Sequence, residues 1–78
     1  MIPLYGFLRG DTLGLLILAA EDETVAELGH KLAQAARIRV KTTGPLQVIY
    51  RGRTLDPTAR LREIGIGPLE RFDAEEAP

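Results

Sequence analysis

Cysteine and tryptophan are absent from this chain of 78 residues, and histidine occurs once, as His30. Without cysteine there is no disulfide, thiolate zinc site, iron–sulfur cluster or cysteine nucleophile, and one histidine excludes multi-histidine metal chemistry. Long hydrophobic runs are lacking too. The longest, Leu13 to Ala20 (LGLLILAA), follows Arg9 and Asp11 and falls well short of the roughly 20 residues a membrane helix needs. No spanning segment or signal peptide is expected, which points to a cytoplasmic protein. Aromatic residues make up 5% and the formal net charge is -1, so no general attraction to polyanions follows. What remains, 45% hydrophobic and 27% charged residues, is an ordinary globular composition. A chain of this size buries only about 60% of its unfolded surface, enough for one small core and one domain over residues 1–78.

Ile2 to Leu8 (IPLYGFL) and Leu13 to Ala19 (LGLLILA) read as strands joined by a reversal at Arg9-Gly10-Asp11-Thr12. Thr24 precedes Glu27 by the three residues of a capping box, which starts a helix at Val25. Val25, Leu28, Leu32, Ala35 and Ala36 form its apolar stripe, and it ends near Arg37. Thr42-Thr43-Gly44-Pro45 breaks the chain. Leu46 to Tyr50 alternates as a third strand, and Arg51-Gly52-Arg53 turns into a short strand around Thr54-Leu55 that Asp56-Pro57 ends. Leu61 to Ile64 supplies one helical turn, and Leu69 to Ala74 a last strand anchored by Phe72. One amphipathic helix must bury its stripe on a sheet. The expected class is therefore α+β, a mixed four- or five-stranded sheet covered on one side.

Catalytic patterns are wanting. His30 sits on the polar helix face with only Glu27 near it in sequence, and Asp22, Glu23 and Glu27 crowd a helix start where the dipole alone favours acids. Gly65-Ile66-Gly67 has neither the lysine nor the following helix of a phosphate loop. No catalytic, cofactor-binding or metal-ligating residue is assigned. Between residues 31 and 62, Lys31, Arg37, Arg39, Lys41, Arg51, Arg53, Arg60 and Arg62 face only Asp56, whereas Glu70, Asp73, Glu75 and Glu76 gather near the C-terminus. Only Tyr50 interleaves with those cations, which argues against nucleic acid and for steering of an acidic protein partner, with Arg51 and Arg53 as candidates.

The most informative feature is apolar excess. Alternation lets only every second strand residue face a single covering helix, yet Leu15, Leu16, Ile17 and Leu18 are consecutive. With Leu4, Leu8, Leu15, Ile17, Val48 and Tyr50 assigned to the core, Tyr5, Phe7, Leu16, Leu18 and Ile49 are left on the uncovered side. Such a patch marks a protein-binding face.

Residues 46 to 74 (LQVIYRGRTLDPTARLREIGIGPLERFDA) resemble the C-terminal half of ubiquitin, and the N-terminal hairpin and the Thr24-Val25 helix start complete the pattern. The resemblance implies a ubiquitin-like beta-grasp fold. The chain closes on Glu75-Glu76-Ala77-Pro78 instead of the Gly-Gly that conjugating and sulfur-carrying relatives activate, so neither activity is expected. Within that fold, Ile2-Pro3, Gly10-Asp11, LGLLILA, Thr24-Val25-Ala26-Glu27, Arg39-Val40 and Gly65-Ile66-Gly67-Pro68-Leu69-Glu70 before Phe72-Asp73 are similar to one particular family. It is protein B, the small gamma subunit of bacterial multicomponent aromatic monooxygenases such as toluene 4-monooxygenase. That resemblance implies a non-catalytic subunit without cofactor, whose partners are a large diiron alpha subunit and a beta subunit. The alternative is a free-standing ubiquitin-like adaptor, for instance of a bacterial secretion apparatus.

Overall fold

The computed structural model describes residues 1–78 and contains seven elements. They are β1 (Ile2–Leu8), β2 (Leu15–Ala19), α1 (Val25–Ala36), β3 (Leu46–Tyr50), β4 (Arg53–Thr54), α2 (Leu61–Ile64) and β5 (Arg71–Glu76). The strands form one five-stranded sheet in the order β2-β1-β5-β3-β4, parallel between β1 and β5 and antiparallel elsewhere. The expected α+β class holds, and the strand number resolves to five.

Local chemistry sets the helix start. The Thr24 hydroxyl accepts the Glu27 N–H at 3.2 Å while the Glu27 carboxylate accepts the Thr24 N–H at 3.3 Å; losing such a cap costs about 1 kcal/mol. The approach to α1 is also fixed by the α2 segment, because Val25 N–H donates to Ala59 O and Leu61 N–H to Glu23 O, each at 2.9 Å. Val25, Leu28, Leu32 and Ala36 of α1 then pack on Leu4, Leu8, Ile17, Val48, Phe72 and Ala74 of the sheet, all buried. Leu61 and Ile66 close the open end.

Several boundaries differ from those expected, each for a local reason. The β1–β2 connection is longer, since the Asp11 carboxylate accepts the Leu13 N–H and holds the chain in a turn before β2 begins at Leu15. Leu15 itself is half-buried at the core margin. Leu69 belongs to a turn with φ 63, so β5 starts at Arg71 and runs on to Glu76. The short strand lies one residue earlier, at Arg53–Thr54, because only Arg53 and Thr54 oppose Tyr50 and Ile49. Ala35 is exposed, and the stripe narrows to Ala36 at its end.

Two buried glycines, Gly6 and Gly29, show how closely α1 lies on the sheet. A Cβ at Gly6 would stand 2.7 Å from Phe72 Cζ and 2.9 Å from Leu32 Cδ1, and both side chains are fully buried with no room to retreat. A Cβ at Gly29 would meet Val48 Cγ2 at 3.4 Å, ordinary contact. We therefore expect Gly6→Ala to destabilise by about 1–3 kcal/mol through overpacking. Gly29→Ala should instead stabilise by up to about 1 kcal/mol through helix propensity. Urea unfolding of both variants checks the opposite signs.

Candidate protein-docking face

Alternation sends Pro3, Tyr5 and Phe7 of β1, Leu16 and Leu18 of β2, and Ile49 of β3 to the side of the sheet away from α1. The β1–β2 register sets Tyr5 opposite Leu16 and Pro3 opposite Leu18, so these four side chains form one contiguous strip. Tyr5, Leu16 and Leu18 are 43%, 56% and 53% exposed. Leu69 lies beside β1: its N–H donates to Pro3 O at 2.6 Å and its side chain is exposed. Neither Pro3 nor Leu69 was among the expected face residues. The Gly67-Pro68 turn signal before Leu69 was available, but nothing in it says that the turn folds back against β1.

Four expected members of the site stand apart from the strip. Phe7 is half-buried, with Gly14 against its ring edge and the Arg71 guanidinium 4.0 Å from the ring centroid. That cation–π contact is worth about 0.5–1 kcal/mol at an exposed site and takes Phe7 out of the open strip. Ile49 is half-buried and lies apart from the strip, because β5 runs between β1 and β3 and puts Asp73 beside both Phe7 and Ile49. Arg51 is occupied: it donates to Glu70 Oε1 at 2.8 Å and lies 5.2 Å from the centroid of the Tyr50 ring. Arg53 is exposed and unpaired. The structure thus gathers Tyr5, Leu16 and Leu18, and it separates Phe7, Ile49, Arg51 and Arg53 from them.

The strip ends on an edge strand, whose free backbone groups could recruit any other strand. Here that edge is partly closed. Lys31 Nζ donates to Leu18 O at 2.9 Å and to Glu23 Oε1 at 2.6 Å, and the same Glu23 oxygen accepts the Ala20 N–H at 3.1 Å. Helix α1 thereby caps the second half of β2 with an ion pair. The side-chain face of the strand stays open while its backbone edge is blunted.

At the opposite end of the sheet, Glu70 ties three segments together. One carboxylate oxygen accepts the Tyr50 hydroxyl proton and the Gly67 N–H, and the other accepts Arg51. These bonds, with the tyrosine hydroxyl first, lower the Glu70 pKa from 4.5 to about 2. The same tyrosine–glutamate bond raises the Tyr50 pKa. Because the folded carboxyl is the stronger acid, its stabilisation is complete above the unfolded value and is lost as pH falls towards about 2. We expect Glu70→Gln to flatten the loss of stability over that acid range, as read by thermal melts at stepped pH.

No group of three or more His, Cys, Asp or Glu side chains is placed to hold a metal ion, and no helix is long and apolar enough to cross a membrane.

No curated protein matches the sequence significantly. Among solved structures, a toluene 4-monooxygenase HD complex with the inhibitor 4-bromobenzoate contains a similar chain. It superposes with a TM-score of 0.88 at 18% identity, covering 97% of this chain and 98% of that one. The ubiquitin-like domain of Plasmodium falciparum Dsk2 gives 0.79 at 16% identity, covering 97% of each chain. Caldiarchaeum subterraneum ubiquitin gives 0.77 at 18% identity, covering 99% of this chain and 94% of that one. These likenesses establish the ubiquitin-like beta-grasp fold. The family model for toluene-4-monooxygenase system protein B (TmoB) matches residues 1–75, and the chain accordingly belongs to the TmoB family, as a small non-catalytic subunit of a monooxygenase system.

Proposed function

We propose that this subunit docks by the outer face of β1 and β2 on the hydroxylase of a bacterial aromatic hydrocarbon monooxygenase, against its large diiron alpha subunit and the accompanying beta subunit. The observation that carries this reading is the open apolar strip of Tyr5, Leu16 and Leu18 on one side of a sheet whose other side is covered. Burying such side chains in an interface contributes far more than leaving them in water, at about 25 cal/mol per Å² of apolar surface. The diiron centre belongs to the partner, and this chain supplies it no ligand. Its lone histidine is exposed on α1 and most of its carboxylates serve helix caps, turns and ion pairs. Family membership favours this role over a free-standing adaptor, because likeness to ubiquitin itself speaks for fold alone.

Replacing Leu16 and Leu18 together by serine should leave the melting temperature of the isolated chain nearly unchanged. It should weaken assembly with the hydroxylase by about 1 kcal/mol or more per anchor. Ile49→Ser, outside the strip, should matter less for assembly. Co-purification of tagged variants with the hydroxylase, alongside thermal melts, reads both quantities. Undiminished assembly of the Leu16 and Leu18 variant would place the docking face elsewhere. Iron analysis after exposure to ferrous iron and gel filtration provides a separate check, with no stoichiometric iron expected in the isolated chain.

A further inference from the structure

Half of the cations of residues 31 to 62 are paired with a carboxylate in the folded chain. Lys31 pairs with Glu23, Arg39 with Asp11, Arg51 with Glu70 and Arg62 with Asp22. Arg60 donates to the Asp22 carbonyl. Arg37 and Lys41 form no ion pair, and both line one concavity. This groove, of about 610 Å³, runs between the exposed side of α1 and the segment from Val40 to Leu46. His30, Gln34 and Arg37 follow one another at helical spacing along its first wall, and Lys41 and Thr42 form the second. None of its lining residues is a carboxylate. Glu76, the nearest acidic residue along β5, is engaged by the Thr43 N–H at 3.0 Å.

One strand residue at the groove lacks a strand partner on one side. Ala77 N–H donates to Pro45 O, so Pro45, Gln47 and Ile49 direct their backbone groups at β5, and alternation turns Leu46 to the other side. On that side β4 reaches only Ile49 and Tyr50, and Leu55 N–H takes Val48 O. Leu46, which lines the groove, thus has no strand partner on that side, and its C=O lies close to Gly29 of α1, 3.9 Å from where a Cβ there would stand. A groove with an alanine lining from Ala26 and Ala33, two cations that meet no carboxylate, and no acidic residue in its lining matches an extended peptide with carboxylate side chains; Arg37 is held by Gln34, to whose Oε1 it donates at 3.1 Å.

We propose that this groove is a second protein-binding site, which takes an acidic, extended segment of a protein partner on the helix side of the fold. It lies across the molecule from the outer strip and does not depend on that strip being the hydroxylase contact. Nucleic acid fits less well: no aromatic ring lines the groove to stack a base, and the chain carries a net charge of -1.

The test uses the full chain and a fluorescein-labelled peptide alternating glutamate and leucine, followed by anisotropy at low salt and by amide chemical shifts. Binding is expected, with shifts confined to residues around His30, Gln34, Lys41 and Leu46. Arg37→Glu combined with Lys41→Glu should weaken it about tenfold or more, while Arg53→Glu on the distant β3–β4 turn should leave it intact. Absence of binding would overturn the proposal. So would an equal loss in the Arg53 variant, shifts spread over the whole charged surface, or a single-stranded RNA that displaces the peptide at equal concentration.

Discussion

One helix covers one side of five strands, and that imbalance governs everything else in the molecule. Side chains alternate across a strand, so the sheet must put half of its residues where no α1 exists to meet them. On the covered side the fit is close enough that Gly6 can carry no Cβ between Phe72 and Leu32. On the uncovered side the sequence divides the problem by strand. β1 and β2 leave apolar side chains open, whereas β5 places Arg71, Asp73 and Glu75 there. The charged strand lies at the middle of the sheet because β5 is inserted between β1 and β3. The apolar strip is therefore one-sided, bounded by water at β2 and by ions at β5.

The ion pairs have a role in this geometry that their surface energies would not suggest, since exposed pairs contribute about 0–1 kcal/mol. Arg71 over the Phe7 ring decides which aromatic belongs to the open strip. Lys31 and Glu23 decide that β2 presents side chains and not a backbone edge. Asp11, whose side chain is only 2% exposed, receives Arg39 through both carboxylate oxygens and ties the β1–β2 connection to the chain leaving α1. Glu70 does the same for the β3–β4 turn and the approach to β5. Asp11–Arg39, Glu70–Arg51 and the Arg71–Phe7 contact join segments far apart in sequence, while Lys31–Glu23 spans only the approach to α1; each acts by positioning a loop or an edge.

This also explains which features were legible in the chain itself. Periodicity is a local property, and it was enough to find the strands, the Thr24 capping box and the outward orientation of Tyr5, Leu16 and Leu18. Strand order is not local. The run from Leu46 to Tyr50 says that Ile49 faces away from Val48, but only the insertion of β5 says that Ile49 stands apart from Leu16. The partners of the cations were hidden for the same reason: Asp11, Asp22, Glu23 and Glu70 all lie outside the stretch in which the positive charge is counted. A charge run read along the chain overstated the basic surface. The structure leaves without a carboxylate partner only Arg53 at one turn, Arg60 just before α2, and Arg37 and Lys41 at a single groove.

Separation of the two faces is the last consequence of the one-sided cover. Core residues of the sheet touch α1, and the outer residues touch only their cross-strand neighbours, so a substitution at Leu16 changes almost no contact made by Ile17. The burial pattern states this directly, with Leu16 and Leu18 exposed on either side of a buried Ile17. Stability rests on fifteen buried residues, and those residues need only be apolar and of suitable volume to hold the sheet against the helix. The outer strip is free of that requirement. A small domain of this kind can keep one architecture while its exposed face is shaped by whatever surface it meets, which is the property a non-catalytic subunit needs.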